Sequence, residues 1–160
     1  MVLALFAPAL TACATQQAMT VDNGPAVASI PKYRNAMAVR SVTGGRVMNA
    51  FTVMGVQNEP FQAALESSLA ANGYLAPPGT AKFYVDAEIQ NLDQPIMGLD
   101  LDVTADVSYK VSGPTAPSTY PVKTTARATF SDSPIAVDRM RIANERVMQQ
   151  NIRQFLQVLR

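Results

Sequence analysis

Apolar and polar residues alternate most regularly over residues 99–111. Leu99, Leu101, Val103, Ala105, Val107, Tyr109 and Val111 interleave there with Asp100, Asp102, Thr104, Asp106, Ser108 and Lys110. A period of two sends successive side chains to opposite faces of a strand, so one face is buried and the other wet. Residues 83–89 repeat the pattern, with Phe83, Val85, Ala87 and Ile89 against Tyr84, Asp86 and Glu88. Residues 120–130 do so again, setting Tyr120, Val122, Ala126, Ala128 and Phe130 against Lys123, Thr125, Arg127 and Thr129. Stretches 92–98 and 113–118, each containing proline, supply the turns. Upstream, residues 35–42 form a shorter strand, with Met37, Val39 and Ser41 on one side and Ala38, Arg40 and Val42 on the other. Gly44-Gly45 ends it.

Two segments carry the helical period instead. Phe61, Ala64, Leu65, Ser68 and Leu69 share one face, with Asn58 as cap, Glu59 and Pro60 in the first turn, and Asn72-Gly73 as the stop. The last helix opens at Ser133-Pro134, capped by Asp132 or Ser133, and runs to the C-terminus. Val137, Met140, Val147, Met148, Phe155, Val158 and Leu159 line its apolar face, and Asn144 and Asn151 project into the middle of it. Buried amides must find partners, so both are expected to be hydrogen-bonded, to loop backbone near the sheet edge.

The order strand, helix, three strands, helix predicts an α/β (α+β) fold. The expected form is a two-layer sandwich, a mostly antiparallel sheet of about four strands with two helices on one face. The helical connection makes the first two strands parallel neighbours, and the rest form a meander. The segment 46–57, with Val47, Met48, Phe51, Val53, Met54 and Val56, lacks a period. It reads as a further short strand, as a fold over the core edge, or as a methionine-rich contact surface.

Composition narrows the chemistry. Thirteen basic and 12 acidic residues leave a net charge of +1, which argues against a nucleic-acid partner. Histidine is absent and cysteine occurs once, at Cys13. Zinc sites of the usual kind, Cys/His pairs, Ser-His-Asp triads and an internal disulfide are therefore excluded within this chain. Asp86, Glu88, Asp100, Asp102 and Asp106 share the wet face, but a flat sheet surface is poor ground for metal or acid/base chemistry. Lys110, Lys123 and Arg127 stand ready to pair with them across strands. No enzyme, metal site or cofactor is expected.

The single cysteine closes the tetrapeptide Leu10-Thr11-Ala12-Cys13, after an apolar run too short to span a bilayer, which takes about 20 residues. This resembles the lipobox of bacterial lipoproteins. Resemblance implies cleavage before Cys13, a diacylglycerol on its thiol and an acyl chain such as palmitate on its amine. Residues 1–12 are then a signal peptide, 13–33 the lipidated cysteine and a polar tether that either extends from the membrane or lies in part along the domain, and 34–160 a single domain. The absence of a basic residue in Met1-Val2-Leu3 fits a start upstream of Met1.

With its lipobox, tether and small α/β domain, the chain resembles proteobacterial outer-membrane lipoproteins. It is broadly similar to the lipoprotein of the lipopolysaccharide-export translocon and to auxiliary lipoproteins of lipid transport. The resemblance implies a periplasm-facing, lipid-anchored, non-enzymatic accessory or assembly factor. Ala14 is not the aspartate that retains enterobacterial lipoproteins at the inner membrane, so the outer membrane is expected. The alternative is a binding module for a small apolar or lipidic ligand held between sheet and helices. Candidate contacts for an envelope protein are Met48, Phe51 and Met54, and Arg146 and Arg153 from a stripe that also contains Arg139 and Arg160 at a spacing of seven.

Overall fold

In the computed structural model of the chain, residues 14–22, 31–45, 55–95 and 98–159 are described. The elements are α1 (Gln16–Met19), β1 (Met37–Thr43), α2 (Asn58–Ala71), β2 (Phe83–Asp93), β3 (Leu101–Ser112), β4 (Ser118–Ala128) and α3 (Ala136–Val158). The four strands form one open mixed sheet in the order β1-β2-β3-β4. β1 runs parallel to β2, and the other pairs are antiparallel. This is the expected α+β sandwich with one helix more than the periodicity announced.

The alternation does what it should on the inner face. Val85, Val103, Ala105, Val107 and Tyr109 are buried there, under Phe61, Leu65 and Leu69 of α2 and Val147, Met148, Ile152 and Phe155 of α3. The rings of Tyr109 and Phe155 stack at 4.0 Å, joining β3 to α3.

Departures from the expected pattern have local causes. In β1 the pairing skips a residue between Val39 and Ser41, so Arg40 bulges out and Met37 and Val42 both reach the core. Strict alternation put those two on opposite sides. A second register shift between Ile89 and Asn91 lets β2 continue to Asp93, with Leu92 turned inward. Leu99 and Phe130 lie beyond the paired ends of β3 and β4 and are exposed rather than buried.

The helix starts also differ. Gln57, not Asn58, precedes α2, and the Asn58 Oδ1 accepts from Gly45 N at 2.8 Å, tying the end of β1 to the helix. Gly44, at φ +81°, passes so close to β2 that a Cβ would lie 2.1 Å from the Ile89 carbonyl oxygen. α3 begins at Ala136 after Ile135. The Ser133 Oγ accepts from Ile135 N at 3.1 Å, while Asp132 accepts from Thr129 N at 2.7 Å and so closes the preceding turn.

Candidate functional site

Cys13 lies outside the described residues, but the chain that follows it is firmly placed. Ala14, Met19 and Val21 are buried against α2 and α3. Thr15 offers both its backbone N–H and its hydroxyl to Glu145 Oε1, at 2.9 and 3.0 Å. Glu145 is itself buried, and Arg141, one turn back on α3, donates to both its oxygens at 3.1 and 3.0 Å. A buried carboxylate is thus neutralised by one guanidinium and used to fasten the N-terminal segment.

Downstream, α2 holds the same segment by its peptide groups. The Ser68 Oγ donates to Ala64 O at 2.6 Å and accepts from Val21 N at 2.9 Å. The Asn72 Nδ2 donates to Val21 O at 3.1 Å and to Ser68 O at 2.7 Å. The Gln149 side chain donates to Thr20 O at 3.0 Å. Residues 14–22, read from sequence as the start of a tether, lie along the domain. Of the two readings the sequence left open, this is the docked one; composition could not choose, because Thr, Gln and Asn serve a docked segment as well as a solvated one.

On the outer sheet face three of the acidic residues, Asp86, Asp102 and Asp106, each meet a basic partner, and Asp100 shares Arg127 with Asp102. Asp102 stands opposite Arg127 and takes a two-pronged contact at 2.7 and 2.8 Å, and Lys123 reaches Asp106 at 3.3 Å. Asp86 pairs with the bulged Arg40 and accepts from the Ser41 hydroxyl at 2.8 Å. Hydrogen bonds from Arg40 and Arg127 hold the Asp86 and Asp102 carboxyls below their ordinary range. Among the described residues no cluster of acidic side chains or cysteine could hold a metal ion.

The arginine stripe does not stay on one surface. Arg139 is buried, donating to Ser133 O at 2.8 Å and Gly98 O at 3.4 Å, because the chain before β3 packs over the start of α3. Arg146 donates to Asp132 at 2.9 and 2.6 Å and to Arg127 O at 2.8 Å, clamping the β4–α3 turn. Arg153 is exposed and reaches Gln149 Oε1 at 3.4 Å. Met48, Phe51, Met54 and Arg160 lie outside the described residues.

No protein-family model matches the sequence, and no curated protein does. Solved structures do. An uncharacterised protein superposes with a TM-score of 0.58 at 12% identity, over 82% of this chain and 96% of its own. The Xanthomonas campestris protein XCC0632, of family DUF330, gives 0.51 at 11% identity, over 80% and 86%. The fold is shared. A Caulobacter crescentus chain named as a candidate lipoprotein gives 0.43 at 13% identity over 62% of this chain and 77% of its own, a score that supports no argument.

The layer between helices and sheet is filled with side chains. Phe61, Leu65, Leu69, Met148, Ile152 and Phe155 have essentially no exposed surface. Two depressions formed by described residues lie elsewhere. One of about 230 Å³ sits beside Gln90, Asp106, Pro121 and Lys123, and a broad open one borders Thr15, Gln16, Asp22 and Ser67. No helix among the described residues is long and apolar enough to cross a membrane.

Proposed function

We propose that the chain is a lipid-anchored protein of the bacterial envelope that acts as a non-enzymatic accessory or assembly factor, held at the periplasmic side of the outer membrane through Cys13. The tetrapeptide Leu10-Thr11-Ala12-Cys13 carries the reading. A diacylglycerol on the thiol and an acyl chain on the amine give stable anchoring, since each buried methylene contributes about 0.8 kcal/mol and two or more chains suffice. Metabolic labelling with a palmitate analogue should mark the wild-type protein, and Cys13→Ala should abolish the label and release the protein from membranes. Unlabelled wild-type protein in the soluble fraction would end this reading.

The filled layer between sheet and helices favours an accessory role over a lipid-binding pocket, which would need a cavity of some 300 Å³ or more. Contacts with an envelope partner fall to Met48, Phe51 and Met54, because affinity comes mainly from apolar anchors. Arg153, exposed on α3, serves orientation. Arg146 is less apt as a test residue, since its removal would also free Asp132. Replacing the three apolar residues by Ser should reduce crosslinked capture of envelope proteins more than Arg153→Glu does. Equal capture by the triple variant and wild type removes the segment as a docking site.

A further inference from the structure

Three large apolar side chains stand in water at one end of the fold. Leu99 is 72% exposed, Phe130 55% and Ile135 58%. They belong to two segments, the approach to β3 and the β4–α3 connection, which holds both Phe130 and Ile135. One buried guanidinium gathers them. Arg139, 4% exposed, donates to the carbonyl of Gly98 beside Leu99 and to that of Ser133 two residues before Ile135, and lies 5.6 Å from the ring of Phe130. Scattered exposed apolar residues are ordinary, but three brought to one corner by a buried arginine form a patch.

The course of the N-terminal segment says which surface this patch meets. Thr15 is fastened to Glu145, and Thr20 farther along to Gln149, so the segment runs in the same direction as α3. Ala14 is therefore at the end nearer the start of α3, where the three residues lie. From Ile135 to Glu145 is about ten residues, or roughly 15 Å of helix. Ala14 is itself buried, so the segment is packed on the domain from its first described residue.

Resting on the lipid-anchor reading above, we propose that the corner formed by Leu99, Phe130 and Ile135 inserts into the bilayer that holds the lipid, so that the domain sits flush on the membrane in one orientation. Acyl chains alone secure attachment without fixing orientation, whereas a second apolar contact a short distance away supplies a second point of support. The surrounding charges are mixed, with Asp100 and Asp132 near Arg127 and Arg146. Apolar insertion, not attraction to anionic headgroups, is the contact this corner offers.

The test uses the full-length protein purified from membranes and reconstituted into phosphatidylethanolamine and phosphatidylglycerol vesicles. An environment-sensitive fluorophore is placed at Leu99→Cys or, as a control at the far end of β4, at Ser118→Cys. Leu99 and Ser118 are both exposed, so neither change touches the core. Lipidated Cys13 has no free thiol and takes no label, so reaction at Cys13 reports failure of the anchor reading on its own. The Leu99 probe should shift to the blue and lose intensity with brominated acyl chains, while the Ser118 probe does neither. A vesicle-bound protein whose Leu99 probe stays in water overturns the proposal. Shielding of that probe only when envelope proteins are added also overturns it and gives the corner to a protein partner.

Discussion

Asn151 is the polar residue on which the inner layer turns. Its Oδ1 accepts from the Tyr109 hydroxyl at 2.8 Å, and its Nδ2 points to Val122 O at 3.1 Å, Thr124 Oγ1 at 3.0 Å and Ala105 O at 3.4 Å. Burial pushes the Tyr109 hydroxyl above its ordinary range, which keeps it a donor. Asn151→Ala should lower stability by about 1–3 kcal/mol in denaturant unfolding, because a buried hydroxyl and a strand carbonyl lose their partner. A change within error would mean that water replaces the amide. Burial of Asn151 and Asn144 was legible, since both fall on the apolar face by helical spacing, although their partners are a sheet tyrosine, strand carbonyls and Gln94 rather than loop backbone. Glu145 and Arg139 were not legible. Each is buried by a segment distant in sequence, residues 14–15 and 98 respectively, and a helical wheel carries no information on that.

At the scale of elements, α2 and α3 were readable because amphipathic spacing persists for several turns, although Val137 and Val158, expected on the apolar face at the two ends of α3, are exposed, and the strands because alternation does. What escaped was wherever the period slips by one residue, at Arg40 in β1 and at Gln90 in β2, and the four-residue α1. So short a helix is unstable alone and exists through its contacts. Met19 and Val21 fill space between α2 and α3, and the Ser68 hydroxyl satisfies the buried Val21 N–H. Ser68→Ala should therefore cost about 1–3 kcal/mol, and hydrogen exchange should quicken at residues 19–21. Unchanged exchange there would show that the segment is held by apolar burial alone.

Across the whole molecule, charge pairs fasten each outer junction of an open sheet. Arg40 and Asp86 join β1 to β2, Asp102 and Arg127 join β3 to β4, and Asp132 and Arg146 join the β4–α3 turn to α3. Hydrogen bonds from an arginine are the main reason that all three carboxyls titrate below the ordinary 3.8, and Asp132, which also accepts from Thr129 N, lies well below it. A carboxyl depressed in the folded state adds stability above its unfolded value, and loses it as pH falls through the folded one. Thermal unfolding should thus be steady from neutrality to about pH 5, then fall as the carboxyls are protonated. Asp132→Asn keeps the shape and most acceptor capacity but removes the charge, so its Tm should be lower than wild type at pH 7. The two should converge in strong acid, where the wild-type carboxyl is also neutral. A gap of constant size from pH 7 to about pH 2 would show that Asp132 acts as a turn-closing acceptor and that the Arg146 pair adds no charge-dependent stability.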